Sequence, residues 1–379
     1  MHNVRRKRFT TLVLTLGVLP VAGPPALAAS QPVAQAADEM VVTASRTEER
    51  LIDLPMDTQV ISRETIERSG ATTVGELLGT YVTGHLQKYS GMNTAVGLRG
   101  FRTDAHGEDI AGHVLLLIDG HRAGTGNAAK INVDRIERVE VIKGPSSALY
   151  GSAAMGGVIN LITKKGDGPL GGSVGGEYGS FDSYKGILSG GGEVNERFRF
   201  HATTSTEGID DYDDPTYGRV YNSGEEKTNV GGNVVYTFNN RHELRLGGNY
   251  ADLMGEYPDW QDVDGDFNPN PYTAYRRDFA PDTDKSNGYS DLEYNGDFLG
   301  GRVHWKALAY YLYDKNQYNY GFGDKNADRT KQVDTSLGTD QQVVWRPSDW
   351  NPLLAGFTLE SMERESSAWM DHQPQTPYS

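Results

Sequence analysis

Residues 136–165 read IERVEVIKGPSSALYGSAAMGGVINLITKK. The stretch predicts a strand, a Gly-Pro break, a short helical turn, a Gly-rich turn and a second strand. Val139, Val141, Val158, Ile159, Leu161 and Ile162 bring the β-branched and aliphatic side chains that strands favour. Gly144-Pro145 stops the first strand, and Ser146 is placed to cap the turn that carries Ala148, Leu149 and Tyr150. Gly151, Gly156 and Gly157 are expected where backbone passes close to other backbone.

Working outward, residues 51–168 share this mixed α/β texture. Ser62–Ser69 predicts a helix capped by Ser62 and stopped by Gly70. Thr73-Val74-Gly75-Glu76 is a capping-box pattern that opens a second helix through Leu78. The continuous aliphatic run His113–Asp119 predicts a buried strand. Arg135–Ile142 and Val158–Thr163 add further strands.

Beyond Pro169 the pattern changes to segments of roughly ten residues, rich in Gly and aromatics and separated by turns. About nine are legible: 171–178, 183–193, 197–208, 227–238, 243–253, 286–295, 302–313, 332–345 and 353–364. Trp305, Ala307, Ala309 and Tyr311 share one face of the seventh. After a first short turn, the connections alternate between short (193–196, 239–242, 297–300, 346–352) and long (210–226, 255–285, 314–331). That alternation is the pattern of an outer-membrane barrel, with short periplasmic turns and long extracellular loops. A soluble sandwich or propeller gives no reason for it.

The N-terminus fits export. Arg5, Arg6, Lys7 and Arg8 precede the apolar stretch Thr11–Val21, and Ala26-Leu27-Ala28 is an A-x-A cleavage site. Residues 1–29 are therefore expected to be a signal peptide. An uncleaved anchor is the alternative, but Pro20, Pro24 and Pro25 would interrupt its helix. The remainder holds no apolar run of ~18 residues, and the low mean hydropathy of the whole chain, -0.56, is compatible with alternating barrel strands. The net charge of -15 argues against a nucleic-acid partner. With zero cysteines, disulfide, thiolate-metal and cysteine-nucleophile chemistry are excluded together.

Residues 136–165 resemble the end of the plug domain of TonB-dependent outer-membrane receptors. Gly97-Leu98-Arg99-Gly100-Phe101, read as a strand with an Arg between two glycines, and His113–Gly120, a central strand with its Asp-Gly turn, match other plug landmarks. Glu39, Met40, Val41, Val42, Thr43 and Ala44 resemble the TonB box, within a flexible tail at 30–50. An extended Val-Val-Thr segment can lend its backbone to a partner's sheet edge. A linker that merely contains valines is the alternative. The resemblance implies a plug at 51–168, followed at 169–379 by the N-terminal portion of a transmembrane antiparallel β-barrel, incomplete at about nine of an expected ~22 strands. The chain is thus expected to be a fragment, lacking the aromatic-ended final strand.

The resemblance also assigns roles. The upward-facing plug loops make Gln87, Tyr89, Met92, Asn93, Arg122 and Asn127 candidate ligand contacts, with solvated turn residues as the alternative. Arg99, Arg135, Arg138 and Lys143, with Glu137 and Glu140, are candidates for polar contacts with the barrel wall. A plug that must move is expected to have a wet, charge-paired interface rather than an oily one. The alternative is ordinary surface ion pairs of little individual worth.

Two acidic loops, carrying Asp210, Asp211, Asp213 and Asp214 and then Asp262, Asp264 and Asp266, offer the hard oxygens that Ca2+ takes. The second departs from the EF-hand pattern, and disordered acidic loops are the alternative. No cofactor is expected to be required beyond such a structural Ca2+. Haem is disfavoured, because His85, His106, His113, His121 and His201 show no ligand spacing. No metalloprotease, Walker, nucleophile-elbow or Rossmann motif stands in its context, so an enzyme is not expected.

The expected partners are the periplasmic C-terminal domain of TonB, outer-membrane lipid, and a ferric siderophore or a corrinoid, with the protein monomeric in the outer membrane of a Gram-negative cell. A passive porin and an outer-membrane enzyme are the alternatives from other classes.

Overall fold

The computed structural model describes residues 41–42, 49–50, 57–89, 91–106, 109–214, 218–220, 223–256, 282–319, 328–348 and 352–370. The signal segment, box residues Glu39, Met40, Thr43 and Ala44, and Asp262, Asp264 and Asp266 lie outside the described residues. Val41–Val42 pairs antiparallel with Glu49–Arg50 in a two-residue ladder.

The plug begins with β1 (Asp57–Ser62), α1 (Arg63–Ser69) and α2 (Val74–Tyr81). Ser62 caps α1 by accepting from the Thr65 N–H, and Gly70 ends it with φ +68°. Thr73 caps α2 by accepting from the Glu76 N–H. The returning Glu76 carboxylate accepts from the Thr72 N–H rather than from that of the cap itself. The helix runs past Leu78 to Tyr81 and through Gly79, where a Cβ would stand 2.6 Å from the Leu86 side chain, so that glycine serves close packing rather than a stop.

A three-stranded sheet follows: β2 (His85–Tyr89), β3 (Asn93–Leu98) and β4 (Phe101–Arg102). Arg99 sits in the turn between β3 and β4, not in a strand. Its φ of +51° and that of Gly100 at +84° give the tight primed hairpin that suits the strand twist. Next come β5 (Val114–Ile118), β6 (His121–Arg122), β7 (Ile136–Lys143), the helical turn α3 (Ser147–Tyr150) and β8 (Gly157–Thr163).

These strands form a five-stranded sheet of order β1-β7-β8-β5-β6. Strands β5 and β8 run parallel, while β1–β7, β7–β8 and β5–β6 are antiparallel. Both β5 and β8 are buried throughout, which suits the unbroken aliphatic run of β5 and the mostly aliphatic β8, interrupted by Asn160.

The opening stretch departs from its reading in two details. Ser146 makes no side-chain cap, and its hydroxyl donates to the Gly144 carbonyl instead. Gly151 meets nothing within 4 Å, so its φ of +86° is what favours glycine there. At Gly157 the close approach is real. A Cβ would stand 2.4 Å from the Ile142 carbonyl oxygen, at φ +148°. Gly157→Ala is expected to part the start of the β7–β8 ladder and destabilise the plug by about 2–4 kcal/mol, read as a lower urea midpoint.

Beyond Pro169 the wall is one nine-stranded antiparallel sheet in chain order. Its strands are β9 (Gly171–Tyr178), β10 (Tyr184–Asn195), β11 (Phe198–Ile209), β12 (Glu225–Asn239), β13 (His242–Glu256), β14 (Asp282–Phe298), β15 (Val303–Asn319), β16 (Asp328–Trp345) and β17 (Leu353–Met370).

Period-two alternation gives the wall two faces. On β13, Leu246, Tyr250 and Met254 point outward and are exposed, while Arg245, Ala251 and Leu253 are buried against the plug side. On β15, Trp305 and Tyr311 face out while Leu308, Tyr310, Leu312 and Asp314 face in. Near the short turns the outward rings touch: Tyr236 with Phe238, and Trp305 with Tyr294 and Phe298. An outward apolar band edged by aromatics is the surface a barrel shows to lipid. No helix among the described residues is long and apolar enough to cross a membrane.

Candidate functional site

The plug docks on the inner face of the wall, and the contacts are dominated by charge and hydrogen bonding. The turn joining β5 to β6 is the densest point. Asp119 (φ +49°) and Gly120 (φ +95°) form a two-residue primed turn. The buried Asp119 carboxylate accepts from the Thr163 N–H at 2.9 Å and hydroxyl at 2.7 Å. It also lies 3.0 Å from the buried Arg245 guanidinium on β13, which in turn meets Asp291 of β14 at 2.5 Å. Burial would raise the Asp119 carboxyl. The Arg245 charge and the Thr163 bonds override it and hold the carboxyl well below its usual range.

His121, which opens β6 beside the turn, is stacked on Tyr310 with centroids 5.2 Å apart and edge-on to Tyr289 at 4.9 Å. Its Nδ1 is 2.6 Å from the Arg122 carbonyl, so Nδ1 carries the proton and donates. Burial pushes its pKa down to about 4. The unfolded chain, with an imidazole near 6.5, therefore binds more protons than the folded one between pH 6.5 and 4. Stability is full above pH 6.5 and falls as pH drops through that window. About 2 kcal/mol is expected to be lost between pH 7 and 5. His121→Phe keeps a ring and removes the titration, and it should flatten that part of the thermal-midpoint profile.

Further contacts join the plug to the wall away from this turn. Lys130 pairs with Asp314 at 2.7 Å, both side chains 0% exposed. Asp134 pairs with Lys185 at 2.9 Å. Lys227 donates to the Ala129 carbonyl at 3.1 Å, Asn132 to Ser205 at 3.1 Å, and Asn233 to the Lys164 carbonyl at 2.7 Å. Lys285 and Thr283 both donate to the Gly91 carbonyl, so β14 holds the turn before β3 by its backbone. The interface is not uniformly wet, however. Tyr289, Leu308, Tyr310 and Leu312 of the wall belong to the same buried apolar cluster as the plug core. They correct the expectation of an interface without oily contact.

Of the six residues suggested for plug–wall contacts, Arg135 reaches the wall. It donates to the Gly248 carbonyl at 2.9 Å and lies over the Tyr289 ring at 5.1 Å. Arg99 pairs with Asp57 at 3.8 Å, Arg138 with Glu140 at 2.9 Å, and Glu137 with Arg63 at 3.7 Å, all inside the plug. Lys143 ends β7 beside β1, opposite Asp57 and Gly157. The reason is topological. β7 lies between β1 and β8, and its polar side chains are satisfied by their own sheet and by α1.

The suggested ligand contacts divide similarly. Asn127, 1% exposed, is a structural tie. Its side chain accepts from the N–H groups of Thr94 and Ala129 and donates to the Met92 carbonyl. Asn93 is buried beside it, and Met92 packs on Ala251 and Leu253 of the wall. Arg122 pairs with Glu360 of β17 at 2.8 Å, making it a wall contact.

Gln87 and Tyr89 remain at an opening, where both accept from Arg102, at 2.9 and 3.0 Å. Tyr89, Phe101, Arg102, Asp104, His106 and His113 line a cavity of about 450 Å3. His106 bridges outward, edge-on to Tyr89 at 5.1 Å and stacked with Tyr318 at 6.5 Å. Tyr318 lies next to the end of β15 on the long-connection side. Arg102 is not singled out by the sequence and His106 is weighed there only for haem; their Arg-x-x-x-His spacing gives no periodic signal.

Of the acidic loop residues, Asp211 accepts from the Ser223 N–H at 3.0 Å, and Asp213–Asp214 pairs with Gly218–Arg219. Among the described residues, no three acidic or histidine side chains converge as a metal site.

Comparison with known proteins agrees with this architecture. Residues 50–158 match the family described as TonB-dependent Receptor Plug Domain. The vitamin B12 transporter BtuB of Vibrio cholerae is 31% identical over 181 residues, covering 46% of this chain and 28% of that protein. BtuB of Vibrio vulnificus is 31% identical over 244 residues, covering 59% and 36%. The chain thus spans about a third of the length of these curated relatives.

Among solved structures, the pyoverdine outer membrane receptor FpvA of Pseudomonas aeruginosa superposes with a TM-score of 0.68 at 17% identity, covering 89% of this chain and 50% of that one. The ferric-catecholate import receptor Fiu of E. coli gives 0.62 at 17%, covering 82% and 50%. At such identities the likeness is one of fold. Residues 50–158 thus match the plug of TonB-dependent receptors, and the strands beyond them share the fold of the leading barrel strands in the outer-membrane receptors just named.

Proposed function

We propose that this protein is an outer-membrane receptor that takes up a scarce metal chelate, most of all a ferric siderophore, with energy delivered by TonB to the Met40–Ala44 region. The observation that carries the reading is a plug held in the wall by polar contacts, with an aromatic and cationic cavity open on the long-connection side. Arg102 offers positive charge to an anionic chelate, and Tyr89, His106 and Tyr318 offer ring faces. Ligand binding alone shifts the plug only by its differential affinity, so the work of opening comes from the partner. The cargo is moved and not chemically transformed.

A corrinoid is the second reading, favoured by the 31% identity to the vitamin B12 transporters. Ca2+ would belong to it, held by the 210–214 run together with Asp262, Asp264 and Asp266. The described residues alone do not assemble that site.

The test is accumulation of labelled ferric siderophores and labelled corrinoid in cells making the protein from its own locus, with and without TonB. Accumulation of a siderophore that requires TonB supports the first reading. Accumulation of corrinoid, weakened by calcium chelation, would replace it with the second. Equal uptake without TonB would leave a passive porin.

A further inference from the structure

We propose that Asp119 anchors the fixed end of the plug, so that a pull on the tail deforms the plug elsewhere while this corner stays docked to the wall. The inference rests on the receptor reading above.

Its geometric basis is threefold. Asp119 joins three parts of the chain at one carboxylate: the end of β5, Thr163 at the end of β8, and Arg245 of the wall. Thr163 also closes the plug's last strand, and residues 164–170 lead directly into β9, so the anchor sits at the covalent joint between plug and barrel. Finally, the tail enters the plug through β1, an edge strand, with β7 between it and β8. Force applied at residue 57 therefore loads the β1–β7 ladder before it reaches Asp119.

The neighbouring residues reinforce the anchor. Asp119 donates its own N–H to the Leu161 carbonyl, and His121 and Arg122, the β6 residues that follow the turn, engage Tyr289 and Tyr310 and then Glu360. Arg245 is fixed from its other side by Asp291. Both members of the central pair are almost wholly shielded, at 5% and 1% exposure, so water and salt screen it weakly. A contact at the joint has the shortest lever arm, whereas Lys130–Asp314 and Lys285–Gly91 lie further up the wall toward the long connections.

The experiment uses cells producing the protein from its own locus and reads two things separately. The first is entry of vancomycin, which needs neither cargo nor TonB. Asp119→Asn keeps a residue tolerant of the left-handed turn but removes the charge. It is expected to raise vancomycin sensitivity several-fold at an unchanged level in the outer membrane. Thr163→Val, a milder loss of one donor, should move sensitivity the same way by less, and it serves if Asp119→Asn fails to accumulate. Unchanged sensitivity in an accumulating variant overturns the proposal.

The second readout is uptake by the Asp119→Cys/Arg245→Cys protein, whose thiols are its only ones because the native chain has 0 cysteines. Bridged by a reducible bis-methanethiosulfonate, it should lose the leak and keep TonB-dependent uptake. Uptake abolished by the bridge and restored by reduction would show a latch that must open, and would overturn the anchor. Absence of TonB-dependent uptake in the unmodified protein would instead defeat the receptor reading, with the leak measurement still interpretable.

Discussion

Replacing Asp314 with leucine is expected to destabilise the docked plug by about 3–5 kcal/mol, the usual consequence of leaving one member of a buried ion pair behind. The Lys130 ammonium is 0% exposed, and without Asp314 it keeps its bond to the Lys315 carbonyl at 3.0 Å but loses its counter-charge. Burial already pushes its pKa below the ordinary lysine range, with Asp314 pulling the other way. Removing that counter-charge leaves a choice between an unpaired buried cation and a neutral amine, and both are unfavourable.

The reciprocal change, Lys130→Met, should be milder. Asp314 would still accept from Asn316 at 2.8 Å and Asn287 at 3.3 Å, and a carboxylate with donors is better satisfied than a bare ammonium. The double replacement by two apolar side chains should recover much of the loss, since buried pairs often do no better than well-packed hydrocarbon. Urea midpoints of the purified protein in detergent, with protease resistance of the plug as a second readout, complete the cycle. A cycle in which the double variant is as unstable as the sum of the singles would mean that the two residues act independently, contrary to their 2.7 Å contact.

That pair also shows where sequence reading reached its limit. The nine wall strands were legible because each carries a local signal, the alternation of outward Leu246, Tyr250 and Met254 with inward Arg245, Ala251 and Leu253 on β13 being one case. The helix starts were legible because Ser62 and Thr73 announce them within four residues. Docking is different in kind. Lys130 and Asp314 are 184 positions apart, and nothing nearby marks which lysine meets which aspartate.

Arg99, Arg138 and Glu137 looked equally suited to the wall, yet their partners lie within the plug, Arg138's on its own strand. Asn127 and Arg122, expected as ligand contacts, are engaged in holding the plug. An apical loop must first be held, and the residues most capable of several hydrogen bonds are consumed in holding it. Asp119 was noticed as half of an Asp-Gly turn, a backbone signal. Its carboxylate was free to do more because the turn conformation needs none of its oxygens.

Val41→Pro with Val42→Pro is expected to abolish energised uptake while leaving cargo binding at the cell surface intact, on the reading that this segment is the TonB box. The argument concerns backbone groups. An extended segment joins a partner's sheet through its N–H and C=O groups, and proline removes the N–H at each substituted position. In this structure those groups face Glu49–Arg50 in a two-residue ladder. So short a ladder is marginal alone, and a partner strand offering a longer run can displace it. The side chains matter less. Val41→Thr with Val42→Thr keeps β-propensity and both donors and should retain most uptake, separating loss of backbone pairing from loss of apolar surface. Surface binding and accumulation of the same labelled cargo, measured in parallel, decide the matter. Full uptake by the double-proline protein would place the coupling segment elsewhere in the tail, and loss of both binding and uptake would mean that the prolines had disturbed the plug itself.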